Sequence, residues 1–76
     1  MLLRIKEKGK DVAVLDASVV KEYGEDEQAG FRVYRITSTT GAVFNFTTKE
    51  NIVETICDKV NQPYIELDSE SFYRYS

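Results

Sequence analysis

Apolar and polar residues alternate with period two at the start of the chain. Over residues 2–7, LLRIKE, Leu3 and Ile5 share one side of a strand, and Arg4 and Lys6 share the other. The residues that follow, KGKD, suit a turn, with Gly9 free to take a positive φ. Residues 12–15, VAVL, resume as a short apolar strand, so residues 2–15 read as a β-hairpin. Residues 16–24, DASVVKEYG, carry competing signals. Asp16 or Ser18 suits a helical cap, whereas β-branched Val19 and Val20 and aromatic Tyr23 suit a pleated surface; the balance favours a strand over about 19–23. A polar, acidic loop, GEDEQAG, is expected at about 24–30.

Residues 31–67 carry a signal at each joint. FRVYRIT at 31–37 is a strand, with Phe31 and Val33 facing one way and Tyr34 and Ile36 the other. STTG at 38–41 turns the chain, with Gly41 in the left-handed region, and AVFNF at 42–46 returns antiparallel. Phe44 and Phe46 share a face and Val43 takes the opposite one, so both faces of this hairpin are apolar. Either the sheet is covered on both sides or one side meets a partner.

Thr47 and Glu50 then fit a capping box, with Thr48 as the alternative cap. Ile52, Val53, Ile56, Cys57 and Val60 form an apolar stripe at helical spacing, Asn61 can end it, and Pro63 blocks continuation. The expected helix, about 49–61, is too short to stand alone in water and must lie on the sheet. YIEL at 64–67 is a last strand. The tail at 68–76 holds Phe72, Tyr73 and Tyr75, and disordered tails are poor in aromatics. It is therefore expected to dock, on its own sheet or on another molecule.

These elements predict a single α+β domain over residues 1–76. Its antiparallel sheet has about four to six strands in a meander-like order, with the helix packed on one face. The expected core is Leu3, Ile5, Val14, Val33, Phe44, Phe46 and Ile65 together with the five stripe residues. A chain of 76 residues buries only about 60% of its unfolded surface, and its total stability should be about 4–11 kcal/mol.

Composition narrows the function classes. The chain is 42% hydrophobic and 30% charged, which suits a folded domain. One cysteine, Cys57, permits no internal disulfide, and no cationic-then-apolar segment opens the sequence. A cytoplasmic location is expected, with no membrane segment. A net charge of −3 disfavours broad electrostatic binding to nucleic acid and leaves room for a basic partner.

Histidine is absent, which removes Ser-His-Asp and Cys-His nucleophilic sites and, with one cysteine, a structural zinc site. No GxGxxG or GxxxxGK[ST] loop is present. No catalytic residue, cofactor or metal is therefore expected, and Cys57 reads as a small buried core residue. The expected function is a non-enzymatic protein–protein interaction module: a regulator, adaptor or inhibitor of cellular or mobile-element origin, with a homodimer as one variant. Its candidate contact residues are the acidic group Glu22, Glu25, Asp26 and Glu27 and the tail residues Phe72, Tyr73, Arg74 and Tyr75. The alternative is a nucleic-acid-binding β-rich module using Arg32, Tyr34, Arg35, Tyr73 and Arg74, since such surfaces stack bases on rings and set arginine against phosphate.

Overall fold

The opening alternation becomes β1 (Leu2–Glu7), with Leu3 and Ile5 fully buried, in a computed structural model that describes residues 1–26 and 30–75, of Glu25 and Asp26 only the backbone. Lys8 and Gly9, both at positive φ, turn the chain into β2 (Lys10–Asp26). One 17-residue strand thus replaces the two short segments suggested by the local pattern. It runs through Asp26, so residues 24–26 of the expected loop are strand, and residues 27–29 lie outside the described residues.

The pairing of β2 is irregular at Val12, Ser18 and Tyr23, and the irregularity at Ser18 changes which residues face the core. Ala17 pairs with Ser38 and Val19 with Thr37 of β3 (Phe31–Ser38), which leaves Ser18 as an extra residue. Before this bulge Ala13, Leu15 and Ala17 face the core; after it Val20 does. The inward parity changes from odd to even, which is why residues 16–24 read as mixed. An extra residue also bends and twists its strand. Here the bend lets β2 pair with β1 through residues 10–16 and with β3 through residues 17–26.

β3 and β4 (Val43–Thr48) form the expected hairpin, with Tyr34 opposite Phe46 and Ile36 opposite Phe44, and Gly41 at φ 91° in the turn. A short helix, α1 (Ile52–Asp58), leads to β5 (Ile65–Ser69) and β6 (Ser71–Tyr75). The strand order is β5-β1-β2-β3-β4-β6, antiparallel throughout except that β5 runs parallel to β1. The meander therefore covers β1 to β4 only. The α1 segment carries the chain from the end of β4 to the edge of β1, where β5 enters parallel.

β5 and β6 occupy the two ends of this order, yet only Glu70 separates them in the chain. The sheet must curl, and it forms a half-barrel. Hydrogen bonds fasten the crossing: Lys8 N donates to Ser69 O at 3.0 Å, Ser69 Oγ to Lys6 O at 2.8 Å, Glu70 N to Thr47 O at 2.7 Å and Phe72 N to Glu7 Oε1 at 3.0 Å. The tail thus docks on its own sheet, as β6.

The core is Leu3, Ile5, Ala17, Tyr34, Ile36, Phe46, Ile52, Ile65 and Leu67. Three of the core positions expected in strands differ. Val14 is 65% exposed, because Leu15 and Ala13 are the residues opposite Leu3 and Ile5. Val33 is half-buried, on the strand side opposite Tyr34 and Ile36. Phe44 is half-buried, with its ring stacked on Phe72 at 5.1 Å between centroids.

The helix is also shorter than its stripe. Thr47 and Thr48 stay in β4, paired with Val33 and Arg32, so the strand ladder takes residues that fit the capping pattern. Asn51 is the cap instead; its side chain accepts from Glu54 N at 3.2 Å. The helix stops at Asp58, with Lys59 rather than Asn61 as C-cap. Ile52 is buried and Ile56 packs partly against the core, whereas Val53, Cys57 and Val60 are exposed. Ile52→Ala should therefore cost about 2–5 kcal/mol and Val60→Ala no more than about 0.5 kcal/mol, as measured by urea unfolding. Equal losses in the two variants would place the helix on a different face.

Candidate functional site

On the outer side of β2, β3, β4 and β6 the register lines up two rows. One is Val19–Thr37–Val43–Tyr75 and the other Lys21–Arg35–Asn45–Tyr73. Tyr23 joins them through the last irregularity of β2. Glu22 pairs with Tyr34 and Gly24 with Val33, so Tyr23 is the extra residue of a bulge, a device that re-aims a side chain.

The Arg35 guanidinium carbon lies 4.4 Å from the centroid of the Tyr23 ring and 4.1 Å from that of Tyr75. Lys21 Nζ lies 5.5 Å from the Tyr23 ring. Cations over aromatic faces are attracted by the ring quadrupole. Among the described residues no carboxylate pairs with Arg35, and neither row contains one. Asn45, in register with Arg35, donates from Nδ2 to the Tyr73 hydroxyl at 3.0 Å, while its Oδ1 is buried without a partner. Tyr23, Tyr73 and Tyr75 are 55%, 57% and 47% exposed. A groove of about 200 Å³ runs over this face between Tyr23 and Tyr75. Small-molecule sites usually exceed about 300 Å³, so its size suits one or two side chains better than a substrate.

The opposite wall of the half-barrel, formed by β5, β1 and the first part of β2, also exposes apolar residues, including Leu2, Val14 and Tyr64. There the charges satisfy one another. Arg4 meets Asp11 at 2.9 Å, and Lys6 meets Glu66 at 3.1 Å. The Arg4 hydrogen bond holds the Asp11 carboxyl below its usual range. With its folded value depressed, Asp11 stabilises the fold above the ordinary carboxylate pKa of about 3.9, and that contribution is lost as pH falls through the folded value. The pair is exposed, so the effect on melting should be small. A carboxyl-carbon NMR titration should show Asp11 below the usual range in the native chain and within it in Arg4→Gln. The same midpoint in both proteins would contradict the assignment.

The residues singled out in the sequence are dispersed. Glu22 is exposed and pairs with Arg32 at 3.8 Å. Glu25 and Asp26 pair through the backbone with Arg32 and Phe31, and Glu27 lies outside the described residues. Phe72 turns inward, stacked on Phe44 and edge-on to Phe46 at 6.2 Å. Tyr73 and Tyr75 lie on the outer face, while Arg74 alternates to the side opposite them, in register with Phe44. Tyr34 is wholly buried, its hydroxyl donating to Glu50 O at 3.4 Å. Of the five residues proposed for nucleic acid, only Arg35 and Tyr73 share the outer face. Lys21, Tyr23 and Asn45 complete that face, and no local pattern marks them. The pairs Lys21/Tyr23 and Tyr73/Tyr75 have strand spacing, but only the register brings them to Arg35.

Cys57 is exposed on α1 rather than buried. Among the described residues no group of three acidic or thiol side chains gathers where it could hold a metal ion, and no helix is long and apolar enough to cross a membrane. No protein-family model, curated protein or solved structure matches the chain.

Proposed function

We propose that this chain is a non-catalytic interaction module, a small regulator, adaptor or inhibitor, that binds another protein through the outer face of β2, β3, β4 and β6. The observation that carries this reading is Arg35 held between the exposed rings of Tyr23 and Tyr75. Tyrosine and arginine dominate the energetics of protein interfaces, because they bury much area and lose little side-chain freedom when already held in place. A cytoplasmic location goes with the proposal and rests on the single cysteine.

Single-stranded nucleic acid also uses tyrosines and arginines on a sheet. Here only Lys21 and Arg35 provide charge in the two rows. Two phosphate contacts would give a salt slope of only about −1.4, far from that of a dedicated binder, and the whole chain carries −3. A protein partner fits these charges better.

The test is site-specific photo-crosslinking in the cells that make the protein. A photoreactive side chain at Thr37, on the outer face, should give a defined crosslinked protein that is lost in the Tyr73→Ala/Tyr75→Ala double variant. The same group at Val12, on the β1–β2 side, should not. A crosslink to a second copy of this chain would identify a homodimer. Equal labelling from both positions, or none from Thr37, would refute this docking face.

A further inference from the structure

We infer that the groove between Tyr23 and Tyr75 receives a carboxylate side chain from an acidic, otherwise apolar segment of the partner protein, with Arg35 as its receptor. The inference rests on the reading of this face as a protein-docking surface, and it names the chemistry of what docks there.

The guanidinium has five N–H donors, all in its plane. The Tyr23 and Tyr75 rings come to Arg35 from strands on either side of β3, so a ligand reaches those donors through the groove between the rings. That approach suits the bidentate pairing of a planar carboxylate. Three other strand cations have carboxylate partners: Arg4 with Asp11, Lys6 with Glu66, and Arg32 with Glu22. Arg35 has no carboxylate partner among the described residues, and two rings hold it in place. Ordering a long side chain before binding removes part of the entropy cost of forming the complex.

The neighbouring row supplies Val19 and Val43, which take an apolar side chain next to the carboxylate. The ligand is therefore a segment in which acidic and apolar residues alternate. Nucleic acid fits less well, since the groove-side faces of Tyr23 and Tyr75 are already occupied by the guanidinium.

The test is an NMR titration of the full ¹⁵N-labelled chain with three probes. These are a blocked heptapeptide alternating leucine and glutamate, the same peptide with glutamine for glutamate, and an oligothymidylate. The acidic peptide should shift the Arg35 Nε–H and the amides of Lys21, Tyr23 and Tyr75. Its affinity should fall about tenfold or more with the glutamine peptide, and equally in Arg35→Gln, as expected for loss of a charge-assisted hydrogen bond. Arg35→Lys keeps the charge but not the fork; it should bind more weakly than the native chain and serves if Arg35→Gln fails to fold. Equal binding of the glutamine peptide at the same amides would overturn the carboxylate and leave the docking face standing. No shift with either peptide would overturn both. Tighter binding of the oligothymidylate at Tyr23 and Tyr75 would replace the protein partner with nucleic acid.

Discussion

Phe46→Ala should destabilise the protein by about 3–5 kcal/mol, the range for emptying a fully buried aromatic site. Phe46 has no exposed surface. Its strand lies between β3 and β6, opposite Tyr34 on one side and Phe72 on the other, with the Phe72 ring edge-on to it. The cavity cannot close easily, because Tyr34, Leu3 and Ile36 are themselves fully buried and held in strands. For a chain of this length the total stability is about 4–11 kcal/mol, so the variant should be partly or wholly unfolded at 37 °C. Urea unfolding followed by circular dichroism measures this. A loss below about 1 kcal/mol would mean that Phe46 does not lie in the centre of the half-barrel.

Removing β6 should have a still larger effect. A chain ending at Glu70 loses the Phe72 ring that stacks on Phe44 and covers Phe46. It also loses the strand paired with β4, which leaves an unpaired edge beside exposed aromatic rings. Such an edge templates pairing with other chains. The expected result is no cooperative melt, together with self-association in light scattering. A monomeric truncated chain with an unchanged melting curve would show that residues 71–75 contribute nothing to the fold. Tyr75 would then have no fixed position against Arg35.

Much of the α+β fold was legible because its signals are local. The alternation in β1, β3 and β4, the Gly41 turn and the aromatic tail each concern a few neighbouring residues. Alternation divides a strand into two sides but does not say which side is core. Val33 and Tyr34 were therefore indistinguishable until the curl of the sheet put Tyr34 inside. The bulge at Ser18 shifts the pattern by one residue and conceals a continuous strand. Thr47 with Glu50 and Asn51 with Glu54 have the same capping spacing; pairing of Thr47 and Thr48 with β3 decides between them. The parallel pairing of β5 with β1 depends on where the chain returns after the helix, which no local pattern records.

The candidate site was less legible still. Tyr73 and Tyr75 stood out as aromatics in a tail, and Arg35 as a cation in a strand. Their meeting depends on three strand registers, and Tyr23 meets Arg35 from the extra position of a bulge. The acidic stretch drew attention because its residues are adjacent in sequence. The face that replaces it joins residues from four strands.

The proposed binding face exists only if Arg35 sits between two tyrosine rings. The most direct measurement is the set of nuclear Overhauser contacts from the Arg35 side chain in the free protein. Contacts to ring protons of both Tyr23 and Tyr75, with the Arg35 δ-protons shifted upfield by the rings, are the predicted result. Arg35 δ-protons at their random-coil position, with no contact to Tyr75, would contradict it and leave the groove without its receptor.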